Sequence, residues 1–364
     1  MKQSVIIVGA GVIGLATAER LLLQGAKVTL LERRKAGQES SWAGGGILSP
    51  LCPWDYANEV TQLTNYSAKQ FPSWVSTLHK VSGINPEYDK SGMCVLPPFN
   101  LDTARQWCLV RQMKFAQHPL TDIPFIPGNR NKAQDFALYL PEIAQIRNPR
   151  LLQALLKRVT LLGGHILENC TVENLKITHR KVQSVNSSCG KFVADYYIVC
   201  AGAWSKEILG VHRLKLEITP IKGQMLLFKF DKPPIRTIVV QGDLYIIPRQ
   251  DGHLLVGSTL ENVGFDKQIT ISARDYLLNR AQSILPELGR MPIIQHWSGL
   301  RPGSPNNIPT IGRHPNIRNL FINCGHFRYG VTMAPASAEI LVNEIIDTMQ
   351  PFDITPYQTG WTSD

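Results

Sequence analysis

Residues 4–32 read SVIIVGAGVIGLATAERLLLQGAKVTLLE, and the reading of this stretch decides the fold. Ser4–Val8 is a short apolar run suited to a strand buried on both faces. Gly9, Gly11 and Gly14 follow in GxGxxG spacing and open a helix expected from Val12 to about Gln24, which Gly25 closes. Lys27–Leu31 is a second strand, ending at Glu32. Gly9 permits the tight turn, Gly11 lets backbone N–H groups approach a pyrophosphate, and Gly14 lets helix and strand pack closely. The helix N-terminus offers unpaired donors to phosphates, and an acid at the end of the second strand accepts from a ribose diol. Strand, helix, second strand and acid together point to dinucleotide binding. Lys2, the apolar run and Ala16-Thr17-Ala18 also imitate a secretory signal with its cleavage site. Three glycines inside that run suit a βαβ unit better.

At 364 residues the chain is long enough for two domains. A content of 44% hydrophobic and 18% charged residues is that of an ordinary globular protein, and no apolar run approaches the ~20 residues of a membrane helix. The formal charge is +10, but basic residues are scattered, as in Arg33-Arg34-Lys35 and His179-Arg180-Lys181. Without a nucleic-acid motif they read as solvated surface, so a small molecule rather than nucleic acid is the expected partner. The seven cysteines are odd in number and contain no CxxC, which suits reduced thiols and a cytoplasmic location. No HExxH or paired histidine spacing occurs, so no metal is expected. Oligomeric state is left open, a homo-oligomer included.

Beyond Glu32, Gly44-Gly45-Gly46 mark backbone passing very close to a ligand, with Ser40 and Ser41 placed to donate to phosphates. Residues 55–82 read as helix and Met93–Pro98 as a short strand; Pro119, Pro124 and Pro127 interrupt the pattern from 100 to 140. Asn148 is a plausible N-cap with Pro149 at the first helical position. Strands are expected at 165–168, 171–177 and 196–200, the last breaking at Gly202. Stretches with period two, at 224–230, 237–240, 244–248 and 254–257, suggest an antiparallel sheet. A helix at 271–285 and a strand at 293–300 follow. The end returns to the style of the beginning: strand 320–323, a glycine-bounded loop 325–330, and a helix from Ala334 to Met349. The expected division is a dinucleotide domain of 1–85, 141–217 and 298–364, and a substrate domain of 86–140 and 218–297.

The chain resembles the D-amino-acid-oxidase-like flavoproteins, and within them the glycine oxidases of the thiamin-pathway type. The resemblance rests on the opening stretch and on SSWAGGGIL, YIVCAGAWS, PIKGQ, YIIPR, WSGLRPG, PTIGRHP and GHFRYGVTMAPA, in that order. It implies an α/β fold: a Rossmann-like FAD-binding domain of the glutathione-reductase type built from discontinuous segments, plus an α+β substrate domain with an antiparallel sheet. It implies noncovalent FAD, because no cysteine stands beside Arg301. Gly9, Gly11, Val12, Ile13 and Gly14 would hold that cofactor, with Glu32 and Arg33 at the adenosine end and Val172 near the adenine. Ser40, Ser41, Gly45, Gly46, Ile47 and Gly202 would also contact it. His326, Phe327, Arg328, Tyr329, Gly330, Val331 and Thr332 would lie along the flavin's pyrimidine edge.

For substrate, the resemblance points to Arg301 and Tyr245 as readers of an amino-acid carboxylate, with Arg328 at the substrate or flavin loop. The implied reaction is oxidative deamination of glycine, small amines or D-amino acids, with oxygen as acceptor. Products would be an imino or 2-oxo acid, ammonia and hydrogen peroxide, and the pathway thiamin biosynthesis. Two positions depart from the glycine oxidase pattern: Asp243, where a histidine is expected, and Leu260, where a methionine is common. Asp243 is expected to favour secondary or cationic amines.

Other readings stay open on residues alone. They are a sarcosine, D-proline or broader D-amino acid oxidase, a quinone-linked dehydrogenase, and a noncatalytic flavin-binding module. An NAD(P) dehydrogenase with Arg33 and Arg34 on a 2′-phosphate is the last, although Glu32 would repel that phosphate.

Overall fold

The structure, a computed structural model, describes residues 2–123, 125 and 136–358. Pro124 and Pro127, two of the prolines expected to break the pattern, lie outside the described residues. The first half carries β1 (Ser4–Val8), α1 (Val12–Leu23), β2 (Lys27–Leu31), α2 (Glu39–Ala43), α3 (Asn58–Ser82) and β3 (Met93–Val95). Then come α4 (Leu101–Val110), β4 (Ala116–Pro119), β5 (Phe136–Leu140), α5 (Asn148–Leu161) and β6 (His165–Leu167). The strands β7 (Val172–Thr178), β8 (Lys181–Ser187), β9 (Gly190–Phe192) and β10 (Tyr196–Val199) precede α6 (Ser205–Leu209). The second half carries β11 (Thr219–Lys229), β12 (Ile238–Gln241), β13 (Leu244–Pro248), β14 (His253–Gly257) and α7 (Ile271–Ile284). It ends with β15 (Gln295–Gly303), β16 (Thr310–Arg313), β17 (Leu320–Cys324) and α8 (Gly330–Ile345).

Two large sheets organise these elements. The first has the order β16-β17-β10-β1-β2-β6 and is parallel except for β16. The chain leaves β1 toward β2 on one side and later returns to β10 on the other. The strand order therefore reverses at β1, the switch point where α/β sheets bind nucleotides. One face of this sheet packs on α1, α3, α5 and α8 through Val5, Ile7, Leu15, Leu21, Phe71, Leu155 and Leu341. The other face, with Ile6, Val8, Tyr197 and Val199, is covered by the small β7-β8-β9 sheet through Val172, Val182 and Val185. Burial on both faces explains the unbroken apolar run of β1.

The second sheet has the order β15-β11-β14-β13-β12-β3-β5-β4. It is mixed rather than purely antiparallel, because β12 pairs in parallel with β3. That pairing needs a long crossover that no local sequence pattern announces. β15 pairs with β11 along its whole length, so the strand carrying Arg301 belongs to this sheet.

Of the boundaries that differ from the sequence-based expectation, two bear on the site. Asn148 is the first helical residue rather than the N-cap, which is Arg147. Its amide instead donates to the carbonyls of Ser41 (2.9 Å) and Gly44 (3.0 Å), pinning the glycine loop to α5. The final helix starts at Gly330, four residues before Ala334, and ends at Ile345. Its N-terminus therefore opens directly at the 325–330 loop.

Candidate active site

A continuous cavity runs from the switch point of the first sheet to the inner strands of the second. At its floor, Gly9 has φ +103°, and a Cβ there would lie 2.5 Å from the Cys200 carbonyl oxygen. A Cβ on Gly14 would sit 2.0 Å from the Gly9 carbonyl oxygen, so α1 crosses β1 as closely as backbone allows. Gly14 itself does not line the cavity, whereas Gly9, Gly11, Val12 and Ile13 do. Glu32 is buried, its carboxylate accepting from the N–H groups of Ala10 (2.9 Å) and Arg34 (3.1 Å). The acid that faces the cavity also ties the end of β2 to the glycine turn.

Ser41 lines the cavity with its hydroxyl proton still available to donate. Its Oγ accepts from the Val12 N–H at 3.0 Å, so it caps α1. Ser40 donates to the Leu300 carbonyl, linking this loop to β15. Gly46 has φ +78°, and a Cβ there would lie 2.0 Å from the Ile146 carbonyl oxygen. Gly45, Gly46 and Ile47 all line the cavity. Arg33 lies over the Trp204 ring, 3.5 Å from its centroid, and pairs with Glu39 at 2.7 Å. Arg34 is exposed, so neither arginine is positioned as a 2′-phosphate clamp. Val172 and Gly202 complete this end of the cavity.

The opposite end gathers residues from both sheets. His326, Phe327, Arg328, Tyr329, Gly330, Val331 and Thr332 line it, where α8 begins. Thr332 donates to the Ile47 carbonyl at 3.1 Å, joining the two cavity loops. Tyr329 and Tyr56 share a hydroxyl–hydroxyl hydrogen bond with rings edge to face. Burial pushes both phenols up, so they stay protonated. His326 is buried with Nε2 against the Ser337 hydroxyl at 2.9 Å, and desolvation pushes its pKa down to about 3.

A histidine held neutral in the fold but titrating near pH 6.5 when unfolded contributes stability that is present above that pH. The contribution is lost as pH falls from about 6.5 toward 3, at up to about 1.4 kcal/mol per pH unit. Thermal unfolding scans at pH 7, 6 and 5 should therefore show a falling Tm, with a shallower fall in His326→Gln. Parallel curves for the two proteins would contradict this assignment.

Arg301 lies at the boundary between the sheets, its guanidinium donating to the Ser258 hydroxyl (2.6 Å) and the Thr259 carbonyl (3.2 Å). Burial draws its pKa down, and its electrostatic neighbours are Tyr245 and Arg328. Tyr245 is buried on β13, its hydroxyl near the Met225 sulfur at 3.7 Å. Arg328 pairs with Asp243 at 3.0 Å, while its Nε is buried without a partner. Asp243 is thus engaged by an arginine rather than free for a cationic amine. Leu260 is 43% exposed and does not line the cavity.

Several residues here went unremarked in the sequence. Arg249 is buried and donates to the carbonyls of Gly45 (2.7 Å) and Ile146 (3.1 Å) and to Gln145 Oε1 (2.7 Å), which fixes the glycine loop from below. A charged residue closing the apolar run of YIIPR was the available signal. Trp204, stacked on Phe265, walls the Arg33 end. All seven cysteines are free, and burial pushes the Cys324 thiol, beside the cavity, up to about 12. Among the described residues, no group of three His, Cys, Asp or Glu side chains is arranged to hold a metal.

The profile of a family described as DAO, FAD dependent oxidoreductase, matches residues 4–344. The chain is 40% identical to a glycine oxidase of Pseudomonas aeruginosa, over 98% of each chain. It is 31% identical to a bifunctional protein ThiO/ThiG of Synechocystis, over 95% of this chain and 52% of that one. Its fold matches the crystal structure of glycine oxidase from Geobacillus kaustophilus with a TM-score of 0.93 and 24% identity, over 100% and 99% of the two chains.

Proposed function

Because this chain belongs to the DAO family of FAD-dependent oxidoreductases, we propose that it oxidises glycine and other small amino acids, giving an imine and hydrogen peroxide. The observation that carries this reading is Arg301: a half-buried guanidinium beside Tyr245, in the wall of a cavity that begins at a dinucleotide cradle. FAD suits the residues present. The floor is bare backbone where any Cβ would collide, at Gly9 and Gly46. Three cavity-lining residues, Asn148, Asn323 and Arg328, carry buried polar atoms with no protein partner.

Gly9, Gly11, Val12 and Ile13 would hold the pyrophosphate, with Gly14 setting the helix behind them. Glu32, Arg33, Val172 and Gly202 would hold the adenosine end, and Ser40 and Ser41 the loop between. Gly45, Gly46, Ile47 and residues 326–332 would frame the ring system without a covalent link. In the division expected from the sequence, 1–85, 141–217 and 298–364 would bind the cofactor and 86–140 and 218–297 the substrate, but β15 (Gln295–Gly303), which carries Arg301, crosses that boundary and pairs within the substrate sheet.

Arg301 presents a planar fork that suits two parallel hydrogen bonds to a carboxylate, and the Tyr245 hydroxyl adds a third. His326, kept neutral and turned to Ser337, is not the group that takes the amine proton. The protonated phenols of Tyr56 and Tyr329 are no bases either. The site therefore takes up the amine in its neutral form, its proton lost to water. The chemistry that FAD would supply, when bound, is two-electron acceptance of the hydride from the substrate α-carbon, with oxygen as the final acceptor. The imine is hydrolysed in water to a 2-oxo acid and ammonia, or is used directly in thiazole formation for thiamin. No described helix is long and apolar enough to cross a membrane. The cysteine pattern favours a reducing compartment, and we place the enzyme in the cytoplasm.

A coupled peroxide assay over glycine, sarcosine, D-alanine and D-proline tests the reading. Glycine should be turned over with peroxide matching oxygen consumed. Reduction of a quinone without peroxide would replace oxidase by dehydrogenase.

Asp243 should shape the preference among amines. Its side chain is 59% exposed, so its pair with Arg328 is worth no more than about 1 kcal/mol. Asp243→Asn should leave glycine turnover within about 5-fold while frees Arg328 for a second anionic group. Relative rates for amines with two carboxylates, such as iminodiacetate, should rise against glycine. An unchanged order of rates would remove Asp243 from the specificity site.

A further inference from the structure

The pairing of β11 with β15 sets Ile221 opposite Arg301 and Gly223 opposite Gly299. The Arg301 side chain leans along β11, and its guanidinium comes to rest over residue 223. A Cβ at Gly223 would lie 2.2 Å from both Nη atoms and 2.4 Å from Cζ. The guanidinium supplies all three of the nearest atoms. Gly223 does not have a left-handed φ, so its backbone suits alanine as well as glycine. The need for glycine here comes from the arginine above it.

The same construction recurs on the neighbouring strand. Gly257 pairs with Tyr245, and a Cβ there would lie 2.7 Å from Cε2 and 2.9 Å from both Cζ and the hydroxyl oxygen. Both carboxylate-reading groups thus rest on bare backbone. From above, the guanidinium is held by the Ser258 hydroxyl and the Thr259 carbonyl, in the residues that follow Gly257. These contacts fix its direction, and the glycine beneath fixes its height.

We propose that Gly223 is a positioning residue for the substrate clamp, setting where the Arg301 guanidinium meets the carboxylate. The proposal rests on the function above, in which Arg301 binds that carboxylate. A methyl group at 223 meets only the mobile end of a long side chain, so the fold tolerates it. The guanidinium, however, must rise by about 1 Å or more, and a displacement of that size costs roughly 10²-fold in rate or binding.

The test is a double-mutant cycle on the FAD-loaded enzyme: wild type, Gly223→Ala, Arg301→Ala and the double variant. Each is assayed for kcat and KM with glycine, and checked for bound flavin and Tm. Gly223→Ala should keep its flavin and a Tm near wild type, while kcat/KM falls about 100-fold, mostly through KM. The double variant should be no worse than Arg301→Ala, because the methyl acts only through the missing guanidinium. Wild-type kinetics in Gly223→Ala, losses that simply add, or loss of flavin would each overturn the proposal while leaving Arg301 in its role. Wild-type kinetics in Arg301→Ala would overturn the functional reading, and this proposal with it.

Discussion

Arg301→Ala is expected to lose about 10²- to 10⁴-fold in kcat/KM for every carboxylate-bearing amine while the purified protein stays yellow. Two charge-assisted hydrogen bonds to a carboxylate contribute about 1.5–3 kcal/mol each, and each 1.36 kcal/mol is tenfold. The fold should barely notice. The guanidinium donates to the Ser258 hydroxyl and the Thr259 carbonyl and lies beside Tyr245, at a cavity that water enters once the side chain is cut back. Nor does the residue touch the glycine cradle at the other end, so cofactor content should be unchanged. Arg301→Lys should recover only part of the loss, since an ammonium is a point charge without the planar fork. The measurement is steady-state kinetics alongside a visible spectrum; normal kinetics in the alanine variant would remove Arg301 from the substrate site.

Gly14→Val is expected to give a colourless protein. At this position a Cβ would lie 2.0 Å from the Gly9 carbonyl oxygen, a backbone atom that no rotamer change can move. α1 must then lift from β1, and the turn between them carries the cavity floor. Overpacking of this kind costs about 1–3 kcal/mol or more in the fold. The larger effect falls on the cofactor, because Gly11 and the first N–H groups of α1 shift together. Titration with FAD, followed by quenching of its fluorescence, should show affinity weakened at least about 100-fold relative to the refolded wild type. A tightly bound yellow variant would mean that helix and strand have room the structure denies them.

Much of this architecture is legible in the amino-acid sequence because its signals are local. The run 4–32 carries strand, turn, helix and acid within a single unit, and burial on both faces makes β1 uniformly apolar. What stayed hidden depends on register between distant strands. Gly223 looks like any glycine in PIKGQ until the pairing of β11 with β15 places a guanidinium over it. The parallel pairing of β12 with β3 spans well over a hundred residues and leaves no local mark. At α8, Pro335 argues for a helix starting near it, since proline lacks the N–H that an interior turn uses. The helix nevertheless begins at Gly330, with the proline inside it. Asn148 has the right side chain for a cap, but its NH2 group donates to the carbonyls of Ser41 and Gly44, and its oxygen faces no helix N–H. Asp243 shows the limit for specificity: its departure from the pattern is visible in sequence, its partner Arg328 only in the structure.

The central claim is that an arginine holds small amino acids by their carboxylate against a flavin seated on the glycine cradle. Mixing the purified yellow protein with glycine in the absence of oxygen tests it most directly. The account predicts that the flavin absorbance bleaches, then returns on admission of oxygen with an equimolar yield of hydrogen peroxide. A flavin that stays oxidised with glycine and every small amine tried, or a protein that neither carries nor takes up FAD, would contradict it.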